Sequence, residues 1–408
     1  MRRTGASSLI TQPSYMDSEK GARPTQWLVV CLGFAVIMAD GFDLQFIGLI
    51  GTEVMREWSL SPAAFGALAS AALLGSIAGA VLAGFASRRI GLRATLIGAL
   101  LLFGGFTLAG LLAQTATTLA ALRFIAGIGL GAAVPVTVSI VDEHSSPRWR
   151  ALAMTLAVCG QPIGAILGGL LCAQFIPIFG WRFTFVLGGV VPLLLIPFVL
   201  RLSSGAALAV AEGRLRELLS ADLWKTTALL WMTVFQASCF IYLIVTWLPG
   251  TLRESGASLP ASVWAMSLFN FGGIVGAALA AACIDRYGPF KVMPVMFGIA
   301  AVATVMLGTL LSLPAAYPLV LFSGVGGYGA AMVLGSVTAL IYPPRLRTFG
   351  VGCLLGVGRW GGAIGPTLLG WAKSAGLPTN ELFWYAALAP CIALVCLLAL
   401  ARVQPAGR

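Results

Sequence analysis

Twelve long apolar runs constrain what this chain can fold into. Each run has about 20 residues or more, enough for an α-helix to cross the roughly 30 Å hydrocarbon layer of a membrane. The runs lie at 27–50, 62–86, 94–114, 117–141, 151–175, 181–202, 226–248, 262–284, 292–312, 316–341, 350–372 and 383–401. They predict an all-α integral membrane protein with twelve transmembrane helices in two sets of six.

The composition excludes a soluble enzyme. Hydrophobic residues make up 59% of the chain and charged residues only 10%, with a mean hydropathy of +0.95. A soluble domain usually carries about a quarter charged residues, so this chain has too few to cover a water-facing surface. The 8 cysteines lie in the apolar runs without CxxC spacing, and the single His144 lies in a loop. We therefore expect packing thiols, no metal site and no cofactor.

Polar segments divide the chain into five predicted regions. These are a cytoplasmic tail at 1–26, a six-helix bundle at 27–202, a charged cytoplasmic linker at 203–225, a second six-helix bundle at 226–401 and a tail at 402–408. The first 25 residues have no apolar core of the kind found in a cleaved signal peptide. We interpret that end as an ordinary tail.

Basic residues predict the orientation of the spans. Of the 25 Lys and Arg residues, 19 lie in tails and loops on the side of the N-terminus. The opposite side has only Arg56, Arg182, Arg253 and Lys373. Because Lys and Arg near span ends are retained in the cytoplasm, we expect a multi-pass protein of the cell (inner) membrane with both termini cytoplasmic. The net charge of +11 then faces anionic lipid, and no soluble basic domain indicates a nucleic-acid partner.

The loops after the second and eighth spans are similar. Each contains Arg-x-Gly, as Arg89 with Gly91 and as Arg286 with Gly288, and the two copies are 197 residues apart. A spacing of about half the chain indicates two six-helix halves related by an internal repeat. A topology signal common to short cytoplasmic loops is the alternative interpretation.

Several short segments resemble one known family. They are Asp40-Gly41-Phe42-Asp43, Arg123-Phe124-Ile125-Ala126-Gly127-Ile128-Gly129, Trp247-Leu248-Pro249, Tyr342-Pro343, Arg347-Thr348-Phe349-Gly350-Val351-Gly352 and Gly358-Arg359. Together with the loop motif they make nearly the whole chain resemble the major facilitator superfamily and, within it, the aromatic acid:proton symporter family. The resemblance implies two six-helix halves, alternating access, and import of a small aromatic carboxylic acid of the benzoate or hydroxybenzoate type together with protons.

The same resemblance implies gating loops at the two copies of the loop motif. The residues concerned are Arg88, Arg89, Gly91, Asp285, Arg286 and Gly288. The chain departs from the superfamily pattern because Arg88 stands where an Asp is usual. Without this acid, the resemblance does not extend to the conformational latch that the family has in its N-terminal half.

Four ionisable side chains lie inside predicted spans, namely Asp40, Asp43, Arg123 and Arg359. Each costs roughly 2.5–3.5 kcal/mol to insert, so such groups usually have a partner or a function. At about 1.5 Å per residue, Asp40 lies about 20 Å and Arg359 about 14 Å from the cytoplasmic start of its span. Both positions approach the midplane, where transporters built from repeats bind their solutes.

These charges suggest a division of roles. Asp40 and Asp43 are three residues apart on one helix face, so each raises the cost of ionising the other, and we expect one to carry the coupled proton. Arg359, with Arg123, is expected to hold the solute carboxylate, while Phe42 and Trp360 supply flat walls. Other candidates for the walls and for hydroxyl partners are Tyr242, Phe269, Phe271, Asn270, Gln236 and Tyr328. In an alternative that is compatible with this one, the aspartates pair with the arginines to hold spans together.

Two other functions stay open. A drug or metabolite:proton antiporter of the same superfamily is weakly suggested by Gly160-Gln161-Pro162-Ile163-Gly164. A sensor that binds solute without transporting it is suggested by Arg88. We expect a monomer in the bilayer in each case.

Overall fold

The computed structural model describes residues 24–202, 214–310, 313–378 and 381–403, and these contain helices and no strand. The helices are α1 (Pro24–Leu49), α2 (Gly51–Glu57), α3 (Pro62–Ala109), α4 (Ala116–His144), α5 (Arg150–Val158), α6 (Gly160–Phe179), α7 (Phe183–Leu200), α8 (Leu215–Leu218), α9 (Trp224–Glu254), α10 (Leu259–Tyr287), α11 (Pro289–Thr309), α12 (Leu313–Ser323), α13 (Gly329–Ile341), α14 (Arg347–Ser374) and α15 (Glu381–Val403). Most of the predicted tails, and residues 203–213 of the predicted linker, lie outside the described residues.

Ten helical stretches among the described residues are long and apolar enough to cross a membrane. One of them contains two spans, because Gly91, with φ 81° and ψ 165°, interrupts α3. Helix α14 adds a twelfth span, although its glycines and arginines make it less apolar. α5 and α6 together form one span, as do α12 and α13 through the π-helical turn Gly324–Tyr328. The predicted all-α fold with twelve spans is confirmed for the described residues.

The backbone turns repeat along the chain. Among the described residues, every residue with a φ in the left-handed region has an equivalent 196 or 197 positions away. The pairs are Ser59 with Gly256, Gly91 with Gly288, and Gly180 with Gly376. Such a φ favours glycine, so the same turn chemistry recurs at corresponding places in the two sets of six spans.

The close approach between spans repeats with the same spacing. A Cβ at Gly75 of α3 would overlap the carbonyl of Phe124 on α4, and a Cβ at Gly272 of α10 would overlap the carbonyl of Leu321 on α12. Both members of the second pair follow those of the first by 197 residues. Small residues let membrane helices approach closely where larger side chains would hold them apart.

The first six spans contact the last six at one end of the molecule. We call this the closed end; it carries residues 50–61 and 255–258, whereas the opposite open end carries 87–93 and 284–291. Among the described residues, the hydrogen bonds between the two sets lie between the closed end and the level of Arg359. Examples are Ala63 N to Ser374 Oγ at 2.9 Å and Ser70 Oγ to Thr367 Oγ1 at 2.9 Å. This arrangement joins the halves on one side of the midplane.

Candidate functional site

Asp43 on α1 and Arg123 on α4 form a buried ion pair within the first six spans. Arg123 Nη1 donates to Asp43 Oδ1 at 2.7 Å, and each side chain is only 2% exposed. The guanidinium also lies 5.0 Å from the ring centroid of Phe46, a favourable cation–π geometry. Because the two charges already neutralise each other, this geometry favours a role in holding α1 against α4. It does not support the solute-binding role predicted for Arg123 or the proton-carrying role predicted for Asp43.

Asp40 lies one turn away from Asp43 and has a different partner. Gln161 Nε2 on α6 donates to Asp40 Oδ2 at 2.9 Å, and Asp40 is 4% exposed. The partner is a neutral amide, so the charge of this carboxylate is not cancelled by a hydrogen-bonded base. Asp40 is also close enough to Arg359 to interact with it electrostatically.

Arg359 reaches from α14 across the interface into the first six spans. Its Nη1 donates to the carbonyl of Ser76 on α3 at 2.5 Å and lies 3.5 Å from the carbonyl of Gly131 on α4. No carboxylate of the described residues lies within ion-pair distance of this guanidinium. The side chain is only partly buried. Arg359 therefore presents an uncancelled positive charge at the interface, opposite Asp40.

Two tyrosines of the last six spans belong to the same neighbourhood. Tyr242 on α9 lies within electrostatic range of both Asp40 and Arg359. Tyr328, the last residue of the π-helical turn, interacts with Tyr242 and Asp40. Both side chains are partly buried. The sequence marked these tyrosines only as members of a long group of possible wall residues.

Of the two aromatic residues that the sequence assigned to the site, only Phe42 has a position that speaks against its predicted role, and the role of Trp360 stays a prediction. The ring of Phe42 is buried within the first six spans, where it stacks on Phe46 at 5.4 Å and packs against Gly168. Trp360 follows Arg359 along α14, but its side chain is 50% exposed. A ring packed between helices of one half has little surface to offer a solute, so this position does not support Phe42 as a solute-binding wall.

The six predicted gating residues lie at the open end. Arg88 donates from Nε to the carbonyl of Gly84 at 3.3 Å, and Arg286 lies 5.4 Å from the ring centroid of Tyr287. The hydrogen bonds and ring contacts described for these loops stay within their own half of the chain. Asp285 and Arg89 are exposed. Their gating role stays a prediction.

The closed end carries an ion pair between the halves that the sequence did not indicate. Arg253 on α9 donates to Glu53 and, at 2.7 Å, to Thr52 Oγ1, both on α2. A second pair, Lys373 Nζ to Glu254 at 2.6 Å, lies within the last six spans. On the first six spans, hydrogen bonds from Arg182 and Trp181 lower the pKa of Glu57 below its usual value. The first pair ties the two halves together, whereas the other two do not.

The described residues contain no group of three His, Cys, Asp or Glu side chains that could hold a metal ion. The candidate site is the neighbourhood of Asp40, Gln161, Arg359, Tyr242 and Tyr328, which come from both halves. Two similar sets of six membrane spans that meet around such charged side chains define a class of protein, the secondary membrane transporters.

Comparisons with known proteins agree with this class. The family model of the Major Facilitator Superfamily matches residues 29–339 and 230–408. The 4-hydroxybenzoate transporter PcaK of Pseudomonas putida is 34% identical over 387 residues, covering 85% of this chain and 86% of the relative. The gallate transporter of Pseudomonas putida is 34% identical over 415 residues, covering 92% and 91%.

A solved structure shows the same fold. A bacterial homolog of the human lysosomal transporter Spinster, in an inward-facing and occupied conformation, aligns with a TM-score of 0.78 at 18% identity, over 94% of this chain and 98% of that chain. The chain belongs to the major facilitator superfamily and, within it, to the aromatic acid:proton symporter family. It is therefore a multi-pass membrane transporter and not an enzyme.

Proposed function

We propose that this protein is a proton-coupled symporter that imports a small aromatic carboxylic acid, of the benzoate or hydroxybenzoate type, by alternating access. The observation that carries the proposal is the position of Asp40 on one half opposite Arg359 on the other. Among the described residues, neither side chain forms an ion pair. The names of the relatives, transporters of 4-hydroxybenzoate and of gallate, support this class of solute.

Arg359 is suited to bind the carboxylate of the solute. A guanidinium forms its strongest hydrogen bonds with a carboxylate, often through two parallel N–H donors. In the described residues its Nη1 instead faces backbone carbonyls, which carry only partial charge. A solute carboxylate would supply the full negative charge that this partly buried cation lacks.

Asp40 is suited to carry the proton. The buried pair of Asp43 and Arg123 is already neutral, which leaves Asp40 and Arg359 as the opposite charges that can change partners. Binding one carboxylate to Arg359 and one proton to Asp40 keeps the total charge of the cavity at zero. A neutral loaded state crosses a low-dielectric barrier more easily than a charged one, so the charge balance couples solute to proton.

We also propose that the open end faces the cytoplasm of a bacterial inner membrane, with both termini on that side and the protein acting as a monomer. The described loops of the open end carry most of the basic residues, including Arg88, Arg89, Arg148 and Arg286. Exposed positions at each end allow a test in spheroplasts, with single cysteines in place of Arg56 or Lys291 and a membrane-impermeant maleimide. Cysteine at 56 should react in intact spheroplasts and cysteine at 291 only after lysis; the reverse pattern would refute this orientation.

Uptake into proteoliposomes tests the function itself. With an imposed pH gradient, alkaline inside, radiolabelled benzoate and hydroxybenzoates should enter by a saturable route that a protonophore abolishes. Aromatic acids also cross lipid passively in their neutral form, so protein-free liposomes under the same gradient provide the baseline. A second control is the Arg359→Ala protein, which should match that baseline.

Other outcomes would select the alternatives. Proton-driven export of lipophilic compounds without uptake of aromatic acids would indicate an antiporter. Saturable binding of an aromatic acid without any accumulation would indicate a sensor. Either result would refute the proposed symport.

A further inference from the structure

The rings of Tyr242 and Tyr328 are closely packed, although neither hydroxyl has a hydrogen-bond partner among the described residues. A Cβ at Gly362 of α14 would lie 2.5 Å from the ring of Tyr242, and one at Gly273 of α10 would lie 2.7 Å from the ring of Tyr328. The ring of Tyr328 also stacks on Phe269, with centroids 5.8 Å apart and planes inclined by 20°. The ring of Tyr242 is thus packed closely against α14, and the ring of Tyr328 is packed between α10 and Phe269.

A third tyrosine, which is fully buried, has found a hydrogen-bond partner within the protein. Tyr342 is 1% exposed, and its hydroxyl donates to Thr227 Oγ1 at 2.9 Å within the last six spans. A buried hydroxyl without a partner costs free energy, so tyrosines away from solvent normally find one. The hydroxyls of Tyr242 and Tyr328 have no such partner among the described residues, and they lie beside the uncancelled charges of Asp40 and Arg359. They are thus available to a solute.

The two tyrosines differ in their relation to Arg359. Tyr242 lies within electrostatic range of Arg359, whereas Tyr328 lies within that range of Tyr242 and Asp40. A solute whose carboxylate binds Arg359 would place that end beside Tyr242. Its ring would extend toward Tyr328, whose own ring is supported from behind by the buried ring of Phe269.

We propose that the hydroxyl of Tyr328 recognises a ring hydroxyl of the solute, so that this residue makes the cavity select hydroxylated aromatic acids over unsubstituted ones. This inference rests on the proposed function and assigns to one residue the choice among its solutes. The hydroxyl of Tyr328 can donate to or accept from a phenolic O–H, while the neighbouring Asp40 can only accept when ionised. A site built to pair with a hydroxyl discriminates against an analogue without it, because the polar group of the site is then left unpaired.

The test compares initial rates of proton-driven uptake, as kcat/KM, for 4-hydroxybenzoate and for benzoate. The parent protein should prefer 4-hydroxybenzoate by about tenfold, the equivalent of one well-placed hydrogen bond. Tyr328→Phe keeps the ring and its packing, so it should reduce this ratio to near one by lowering only the uptake of 4-hydroxybenzoate. Gly273→Ala, which displaces the ring while keeping its hydroxyl, should also lower the ratio.

Two matched tyrosine variants serve as controls. Tyr242→Phe should slow the uptake of both acids and preserve their ratio, because it acts at the carboxylate end. Tyr342→Phe removes a hydroxyl that is paired within the protein and should leave the ratio unchanged. Uptake of both acids with the same ratio in Tyr328→Phe and parent, or a parent with no preference, would overturn the inference. Failure of the parent to take up either acid would instead refute the proposed function.

Discussion

Asp40→Asn is expected to abolish accumulation of the solute against its gradient while leaving solute exchange across the membrane. Asparagine has nearly the same shape and can still accept the hydrogen bond from Gln161 Nε2. It cannot bind and release a proton, so a pH gradient can no longer drive the cycle. Exchange of external labelled solute for internal unlabelled solute needs only the loaded carrier to reorient. The measurement pairs pH-driven uptake with counterflow in the same proteoliposomes.

Asp43→Asn is the matched control, since the same substitution one helical turn away should have a different effect. It leaves Arg123 as an uncompensated charge that is 2% exposed. Removing one partner of a buried ion pair costs about 3–5 kcal/mol, so we expect less folded protein and a lower melting temperature in detergent. Adding Arg123→Gln should restore part of that stability. Asp40→Asn, in contrast, should melt close to the parent protein, and parental accumulation in that variant would refute its role as proton carrier.

The fold could be predicted from the sequence because the membrane sets the length and the apolar composition of each span. A helix must satisfy its own backbone and remain apolar for the thickness of the bilayer, and apolar runs record that requirement directly. The first predicted span, 27–50, agrees with α1 at Pro24–Leu49 to within a few residues. Local changes inside a span, such as the π-helical turn at Gly324–Tyr328, were not predicted, because an apolar run does not record the hydrogen-bond pattern of the helix.

The site could be predicted only in part. The cost of buried charge identified Asp40 and Arg359, because few side chains in the spans are ionisable. Which acid pairs with which base depends on how the helices are rotated against one another, so the pairing of Asp43 with Arg123 was not determined by sequence. Gln161 was not predicted as a site residue, because a neutral amide in a span is a weaker signal than a charge. Arg253 and Glu53 lie near loops and are 200 positions apart in the sequence. A local sequence pattern cannot indicate that two such residues form an ion pair.

Cross-linking the halves at the closed end is expected to stop transport almost completely. Alternating access requires the halves to separate at this end in part of the cycle. The ion pair of Arg253 with Glu53 must then break, together with the hydrogen bonds of Ala63 and Ser70 to α14. Cysteines replacing Glu53 and Arg253, in a background without the 8 native cysteines, can be joined by a short bifunctional thiol reagent. A flexible reagent is needed because two long side chains separate the Cβ atoms by more than a disulfide spans.

The pair of Glu254 with Lys373 supplies the matched control, because both residues belong to the last six spans and move together. Cysteines at these positions, treated with the same reagent, should leave uptake largely intact. In the cross-linked Glu53→Cys/Arg253→Cys protein, uptake should fall to the level of protein-free liposomes, and cleavage of a reducible linker should restore it. Binding of an aromatic acid from the open end should survive, since Asp40 and Arg359 stay in place. Undiminished uptake at complete cross-linking would mean that this ion pair does not lie on the moving interface, and the two ends would have to be assigned again.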